Sequence, residues 1–460
     1  METIVACSTP PGTSGLAVLR LSGPACRTVA AVCLGRPEPS HRHVYHGPFR
    51  VPSSDPASPA AVPGEILDRL NFVFFPAPAS ATGEDVLEIY PHGNPLLIGR
   101  ILAVLSSLPG VRPAEPGEFT RRAFEHGKID LLQAEAVGQL IHAETLEALR
   151  NARRVAEGAL SAPLKVLRES LVDLSVRLEL DVDFSEEEAD PDYASWVPRL
   201  EAMRRELDSL ASGFEKGRGL GRAPRVAILG APNAGKSSLV NALVREDRLM
   251  VSNVPGTTRD WVEVTLTLPG GRVQLVDTAG LGRPADELDA MAMERTRRQW
   301  GEADVRVWVE DGTREAAPAP LPAMESIGGE AADEPARNAV DLRVRTKADL
   351  ADFRPMPEAL SVCSLTGEGL DALRTELETA AFRGRGLGED PLLTTERQFR
   401  AVMAARDRVE AALACLRGKP AIEILAFETR EAAGHLRELL GEIAPDEVLG
   451  RIFAGFCIGK

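Results

Sequence analysis

The stretch GAPNAGKS at 230–237 does more than any other to limit how this 460-residue chain folds. It follows an apolar run, Val226 to Leu229, and precedes SLVNALV, which has helical spacing. Glycines set between a strand and a helix let backbone N–H groups converge on phosphate oxygens at the helix N-terminus. A chance glycine-rich turn has no reason to carry that strand and helix, so the context identifies a P-loop. Its surroundings agree. Between Arg225 and about Ala381 the runs RVAILG, RVQLVD, VRVWVED, LRVRT and ALSVCS alternate with helical stretches. That is how a parallel sheet covered on both faces reads.

A P-loop alone does not choose the nucleotide; the elements after it do. Asn233, Ala234, Gly235, Lys236, Ser237 and Ser238 form the phosphate side, with Lys236 bridging β- and γ-phosphates and Ser237 ligating magnesium. GTTRD at 256–260 supplies Thr258, a hydroxyl suited to magnesium and the γ-phosphate. In DTAG at 277–280, Asp277 can hold magnesium through water, Thr278 and Ala279 follow it, and the Gly280 amide can sense the γ-phosphate. TKAD at 346–349 supplies Thr346, Lys347 and Asp349; a carboxylate there accepts both guanine N1–H and the exocyclic amine, a geometry adenine cannot match. Ser364 fits the next loop, which packs the base. Four ordered elements at strand ends predict a GTPase and exclude an ATPase of the partitioning or repair kind. Two positions depart from the usual pattern. Thr346 stands where the guanine-reading motif begins with Asn, which predicts a looser loop. Leu281 stands where many regulatory GTPases keep a water-orienting Gln, so Asp286, Glu287 and Asp289 are the nearest carboxylates for that task.

Composition bounds the rest. The net charge is 53 − 68 = −15, so contact with nucleic acid needs a local basic patch. Aromatics at 5% disfavour base-stacking platforms, while 44% hydrophobic and 26% charged residues are ordinary globular values. The cysteines, Cys7, Cys26, Cys33, Cys363, Cys415 and Cys457, form no CxxC pair, and METIVACSTPPG carries no basic-then-apolar leader. The most apolar stretch, Leu96 to Val111, is broken by Arg100 and is too short for a membrane span. A cytoplasmic protein without a membrane anchor is expected.

Residues 1 to about 118 read as mixed α/β, with strands at Ala17–Leu21, Asn71–Phe75 and Asp85–Ile89 and helices at Ala25–Cys33 and Pro95–Leu108. From Glu118, apolar residues recur at helical spacing, among them Leu131, Leu132, Leu140, Ile141, Leu146, Leu149, Leu160, Val166, Leu167, Leu171, Leu174 and Leu178. Pro163 starts a new helix or kinks a long one, the acidic run at 185–193 reads as a solvated loop, and a further helix covers about Val197 to Phe214. Helical spacing resumes at 395–418, 421–441 and 446–456, and the Ala/Pro-rich stretch 314–338 reads as a loop. Helical texture on both sides of an α/β block implies insertion. The expected fold class is therefore α/β and α: an N-terminal α+β domain (1–118), a discontinuous helical domain (119–215 and 382–460), and an inserted Ras-like P-loop GTPase domain (216–381).

TIVACSTPPG near the start, GEDVLE (83–88), PGEFTRRAF and GKIDLLQAEA (116–136), GAPNAGKSSLVNAL, PGTTRD, DTAG and the terminal FCIGK (456–460) together resemble the tRNA-modification GTPase family MnmE, also called TrmE, over essentially the whole chain. The resemblance implies a folate-binding-like N-terminal domain that also forms a homodimer. It implies a flavin- and NADH-dependent partner of the MnmG type, joined in a heterotetramer. The pair modifies carbon 5 of the wobble uridine of certain tRNAs, installing an aminomethyl or carboxymethylaminomethyl-type group from a tetrahydrofolate one-carbon unit. GTP is hydrolysed to GDP with magnesium, and potassium takes the place of an arginine finger. Carried onto this sequence, Asn233, the backbone carbonyls of Ser252 and Val254, and Thr257 form the potassium cage. Asp289 takes the place of a water-orienting Glu, one methylene shorter. Arg20, Glu88, Lys128 and Lys460 form the site for 5-formyltetrahydrofolate or a related folate, where cations suit the glutamate tail and a carboxylate suits the pterin donors. Cys457 in FCIGK has two readings, a nucleophile and a buried free cysteine near a helix end.

A reading of a different class is a dimeric GTP-controlled switch, or RNA-binding assembly module, without one-carbon chemistry. It explains the P-loop but gives the N-terminal domain and FCIGK no task. Basic residues gather at Lys216, Arg218, Arg222 and Arg225, and again at Arg397, Arg400, Arg406, Arg408, Arg417 and Lys419. The second group is the preferred tRNA patch; ordinary helix-surface charge is the competing account.

Overall fold

A computed structural model of the chain describes residues 2–52, 64–183, 196–245, 263–277, 300–315, 339–383, 390–417, 422–443 and 445–460. Contacts divide it into two units. One comprises residues 1–141, 152–212 and 395–460; the other comprises 142–151 and 213–394.

The first unit begins with six strands: β1 (Thr3–Cys7), β2 (Leu19–Ser22), β3 (Val44–Arg50), β4 (Ile66–Phe75), β5 (Val86–Tyr90) and β6 (Val111–Pro113). They form one sheet in the order β3-β4-β5-β2-β1-β6, with β6 parallel to β1 and the other pairs antiparallel. Side chains alternate between faces, so one face collects Val5, Leu19, Leu21, Phe72, Leu87 and Ile89. This face is covered by α1 (Cys26–Leu34) and α2 (Pro95–Ser106), which bring Val29, Cys33, Ile101 and Leu105 into the same core. Asn94 caps α2 by accepting from Leu96 N and Leu97 N, and Pro95 adds a fixed φ at the first helical position. The opposite face carries Ile4 and Ala6 against Ala114 and Phe119, the latter on α3 (Glu118–Glu125). Arg20 and Glu88 alternate onto this second face.

The helical part contains α4 (Leu131–His142), α5 (Leu146–Ala156), α6 (Ser161–Asp183) and α7 (Val197–Ser212). Pro163 lies in the first turn of α6, where its missing N–H costs nothing. Leu164, Leu167, Leu171, Leu174 and Leu178 make a buried stripe along α6. Val166, one position off that stripe, is 63% exposed, and Leu140, Ile141, Leu146 and Leu149 are exposed too. A helix buries only the face its neighbours cover, so helical spacing alone does not mark these five positions as core.

Besides residues 142–151, which include the first turns of α5, the second unit carries α8 (Phe214–Leu220) ahead of its sheet. Its sheet comprises β7 (Arg225–Gly230), β8 (Glu263–Leu268), β9 (Gly271–Asp277), β10 (Val305–Asp311), β11 (Val340–Thr346) and β12 (Leu360–Ser361). The order is β12-β11-β10-β7-β9-β8. Five strands are the apolar runs read from the sequence and pair parallel; the sixth, β8 (EVTLTL), is an antiparallel edge that the sequence reading did not include. Two helices pack on one face, α9 (Lys236–Arg245) and α10 (Leu370–Phe382), with Leu239, Leu243, Leu373 and Leu377 meeting Val226, Ile228 and Val307. Ala227 and Leu229 point the other way, toward Trp300 and Ala303.

Three helices complete the first unit: α11 (Glu396–Arg417), α12 (Ile422–Leu440) and α13 (Asp446–Ala454). α12 packs against both α6 and α11, and α11 against α7. Leu449 and Phe453 of α13 join Leu131 and Ala134 of α4. Residues separated by some 300 positions thus share one core, as a discontinuous helical layer requires. Among the described residues no helix is long and apolar enough to cross a membrane.

Candidate functional site

In the second unit, parallel strands place their C-terminal ends along one edge, where open α/β sheets bind ligands. β7 ends at Gly230, where a Cβ would stand 2.1 Å from Val309 O, so the loop leaves the sheet through a position only glycine fits. Asn233 (φ 63°) and Gly235 (φ 90°) take left-handed backbone and turn the chain into α9. Lys236, first in that helix, is buried, and its ammonium donates to Gly230 O at 3.0 Å and Ala231 O at 3.1 Å. Ser237 and Ser238 lie exposed on the first turn of α9. A cation, exposed hydroxyls and converging amides at a helix N-terminus suit a polyphosphate with its magnesium.

Thr346 ends β11 and is 2% exposed. Its Oγ1 lies 2.6 Å from Ala234 O in the P-loop and 3.1 Å from Glu310 O. The hydroxyl thus ties the end of β11 directly to the phosphate loop. The Lys347 ammonium lies 2.6 Å from Asp311 Oδ2, and the exposed Asp349 accepts from Cys363 Sγ at 3.1 Å. Burial raises the Asp311 carboxyl, but hydrogen bonds from Lys347 and Thr313 outweigh it and lower the group to about 2. Ser364 follows Cys363 in the same loop and is half-buried. Asp311 and Cys363 were not among the sequence-derived candidates; the signals were an acid closing an apolar strand and a thiol beside Ser364. β9 ends at Asp277 beside β7. Ser252, Val254, Thr257, Thr258, Thr278, Ala279, Gly280 and Asp289 lie outside the described residues, as do the side chain of Asp277 and Lys419.

The first unit holds a second cluster. Antiparallel pairing of β2 with β5 sets Arg20 opposite Glu88. The guanidinium meets Glu88 Oε1 at 2.8–2.9 Å, while Tyr90 Oη donates to Oε2 at 2.6 Å. Tyr90, two residues on and therefore on the same face, also escaped the sequence reading. Burial and the adjacent Glu88 carboxylate raise its phenol. Arg20 also lies 5.9 Å from the Phe119 ring centre. A carboxylate offers about four lone-pair directions; two guanidinium nitrogens and Tyr90 occupy three of them, which leaves one on Oε2 for a further donor. The chain's end joins this face. Ser8 Oγ donates to Gly459 O at 2.9 Å, and Phe119 N donates to Lys460 O at 3.2 Å. Lys128 instead donates to Pro78 O at 2.9 Å. Cys457 is exposed, which removes the buried-cysteine reading.

GEDVLE and PGEFTRRAF meet as well. Arg122, buried, bonds Glu84 and Glu118 at 2.9 Å each, and Arg112 makes a bidentate contact with Glu118. Burial raises the Glu118 carboxyl, but bonds from Arg112, Glu115 N and Arg122 dominate and lower it to about 2.

The preferred basic patch looks different in three dimensions. Arg397 pairs with Glu135, Arg400 with Glu396, Arg406 with Asp208, Arg408 with Glu428 and Arg417 with Glu201. Each of these five arginines thus has a carboxylate partner, most in exposed ion pairs that bind weakly. In the first group, Arg218 pairs with Glu215 and Arg225 with Glu302.

Comparison with known proteins decides the family. The sequence matches the MnmE helical domain over residues 131–457 and the GTP-binding protein TrmE N-terminus over 3–128. The chain belongs to the MnmE family of tRNA modification GTPases. The MnmE of Rhodospirillum rubrum is 40% identical, covering 100% of both chains. That of Thermus thermophilus is 39% identical over 100% of this chain and 99% of its own. Among solved structures, the G domain of the T. maritima FeoB iron transporter is 25% identical over 35% of this chain and 99% of its own, with a TM-score of 0.25. As an MnmE-family protein the chain binds and hydrolyses GTP.

Proposed function

We propose that this MnmE-family GTPase is potassium-dependent and acts as a cytoplasmic homodimer. With a flavin-dependent MnmG-type partner, it modifies carbon 5 of the wobble uridine of certain tRNAs using a tetrahydrofolate one-carbon unit. One observation carries the reading beyond GTP hydrolysis: the terminal FCIGK segment is seated on β1 and α3, on the sheet face that holds Arg20 and Glu88. A switch that only opened and closed would need neither that face nor that ending.

In this reading Lys236, Ser237 and Thr258 hold the phosphates and magnesium, and Thr346, Lys347, Asp349 and Ser364 hold the guanine. Asn233, Ser252, Val254 and Thr257 hold potassium, whose fixed charge favours the charge that accumulates on phosphoryl oxygens. Asp289 orients the attacking water. Arg20, Lys128 and Lys460 serve the folate carboxylates, Glu88 serves the pterin donors, and the exposed Cys457 is free to meet a reacting group.

The test is nucleoside analysis of wobble uridines from cells lacking this chain, paired with titration of 5-formyltetrahydrofolate into the protein and its Arg20→Ala variant. Loss of the modified uridine and folate binding that depends on Arg20 support the reading. Unmodified uridine levels unchanged from wild type, with no folate binding, favour the switch.

A further inference from the structure

The sequence EDGT at 310–313 closes β10, and its turn has no task in the function proposed above. Several bonds lock the turn to the end of β11. Gly312 N donates to Thr346 O at 3.0 Å, and Arg354 N donates to Gly312 O at 2.9 Å. The guanidinium of Arg345, a residue 2% exposed, donates to Gly312 O at 3.1 Å and Arg314 O at 2.6 Å. A Cβ on Gly312 would stand 2.2 Å from the Phe353 ring and 2.5 Å from Thr346 O, so only glycine permits this approach.

Asp311 divides its carboxylate between two tasks. Oδ1 accepts from Thr313 N at 3.1 Å and Thr313 Oγ1 at 2.7 Å, which holds the turn. Oδ2 accepts the Lys347 ammonium at 2.6 Å. Lys347 itself has φ 64°, a backbone region that L side chains occupy only when their surroundings impose it. A half-exposed lysine would otherwise sample many rotamers; here an anchored carboxylate selects one.

We propose that Asp311 is a positioning residue for guanine-nucleotide binding: it fixes Lys347 within TKAD through a turn locked to the strand end. The inference rests on reading TKAD as the base-reading loop. A side chain already held in place gives up less freedom when the base arrives, and the gain falls mainly on the dissociation rate.

The experiment measures release of a fluorescent GDP analogue from the full chain, chased by excess GDP. Asp311→Asn is expected to raise the dissociation rate about 5- to 10-fold, the scale of one lost charge-assisted bond. Lys347→Ala raises it at least as much. The double variant stays within about 2-fold of the larger single effect, because both changes remove one interaction. Thr313→Ala removes the hydroxyl bond to Oδ1 while Thr313 N still anchors that oxygen, so its effect stays clearly below that of Asp311→Asn. The proposal is overturned by an unchanged rate in Asp311→Asn, by effects that multiply in the double variant, or by Thr313→Ala matching Asp311→Asn, which would mark general loosening of the turn. Failure of the wild type to bind GDP would instead overturn the reading of TKAD itself. Tight GDP binding that Asp349→Asn abolishes, with Asp311→Asn unaltered, would sink this inference alone.

Discussion

Thr346 Oγ1 lies 2.6 Å from the carbonyl oxygen of Ala234, so a single hydroxyl joins the base-reading loop to the phosphate loop. A hydroxyl has one proton to donate, and the nearer acceptor takes it. The amide usual at this position could donate twice; the threonine keeps one tie and loses the other. Thr346→Val retains the shape, removes the donor and leaves a buried carbonyl without its bond, at a cost of about 1–3 kcal/mol. GDP affinity measured by calorimetry should fall roughly 10-fold. An unchanged Kd would show that this contact does not support the nucleotide.

GTP turnover should rise steeply in potassium over sodium, and Asn233→Ala should abolish that difference. Asn233 has left-handed backbone in the exposed part of the P-loop. Steady-state rates in the two salts check this. Equal rates for the wild type would remove the cation from the reaction.

Asp289→Ala should slow turnover by about 100-fold, the lower range for a positioned acid or base, while leaving GTP affinity unaltered. Single-turnover rates and nucleotide titration separate the two effects. A rate within error of wild type would leave the attacking water to another residue.

Glu118 sets an acid limit on stability. Its carboxyl falls from an ordinary 4.5 to about 2 in the folded chain, because hydrogen bonds to Arg112, Glu115 N and Arg122 outweigh burial. A depressed folded-state pKa gives stability that is fully present above about 4.5 and is lost as pH falls toward about 2. Glu118→Gln should cost about 3 kcal/mol near neutrality by unpairing two arginines, and should flatten that acid dependence. Thermal melts across the window would show it. Parallel curves for the two proteins would assign the acid limit elsewhere.

Gly459 binds the chain's end to its beginning. It has φ 97°, and a Cβ there would stand 2.6 Å from Cys7 O. Gly459→Ala should therefore lift the last residues off β1, destabilise the fold by about 1–3 kcal/mol and weaken folate binding. Melting and a folate titration are the readouts. Normal values in both would separate the tail from the folate site.

Two of the nucleotide motifs stood out along the chain because each is short, contiguous and joined to an apolar run that becomes a strand. GAPNAGKS after β7 and TKAD at the end of β11 need only their neighbours to announce their chemistry. EVTLTL was harder to read, since an edge strand lacks the continuous apolar character of a strand buried on both sides. Val166 and Leu140 lie on helices as their spacing indicates, yet both are exposed, because the partner decides whether a helical face is covered.

By itself the sequence determined the family and the insertion of an α/β block into helices. Those properties reside in local order along the chain. Tertiary structure alone decided which charges remain available and which distant residues share a surface. It paired Arg397 and Arg417 with carboxylates from other segments, set Tyr90 on Glu88, and gave Lys347 to Asp311. The physical reason is that a charge's behaviour depends on what lies within a few ångströms, and those neighbours come from strands and helices far apart in sequence.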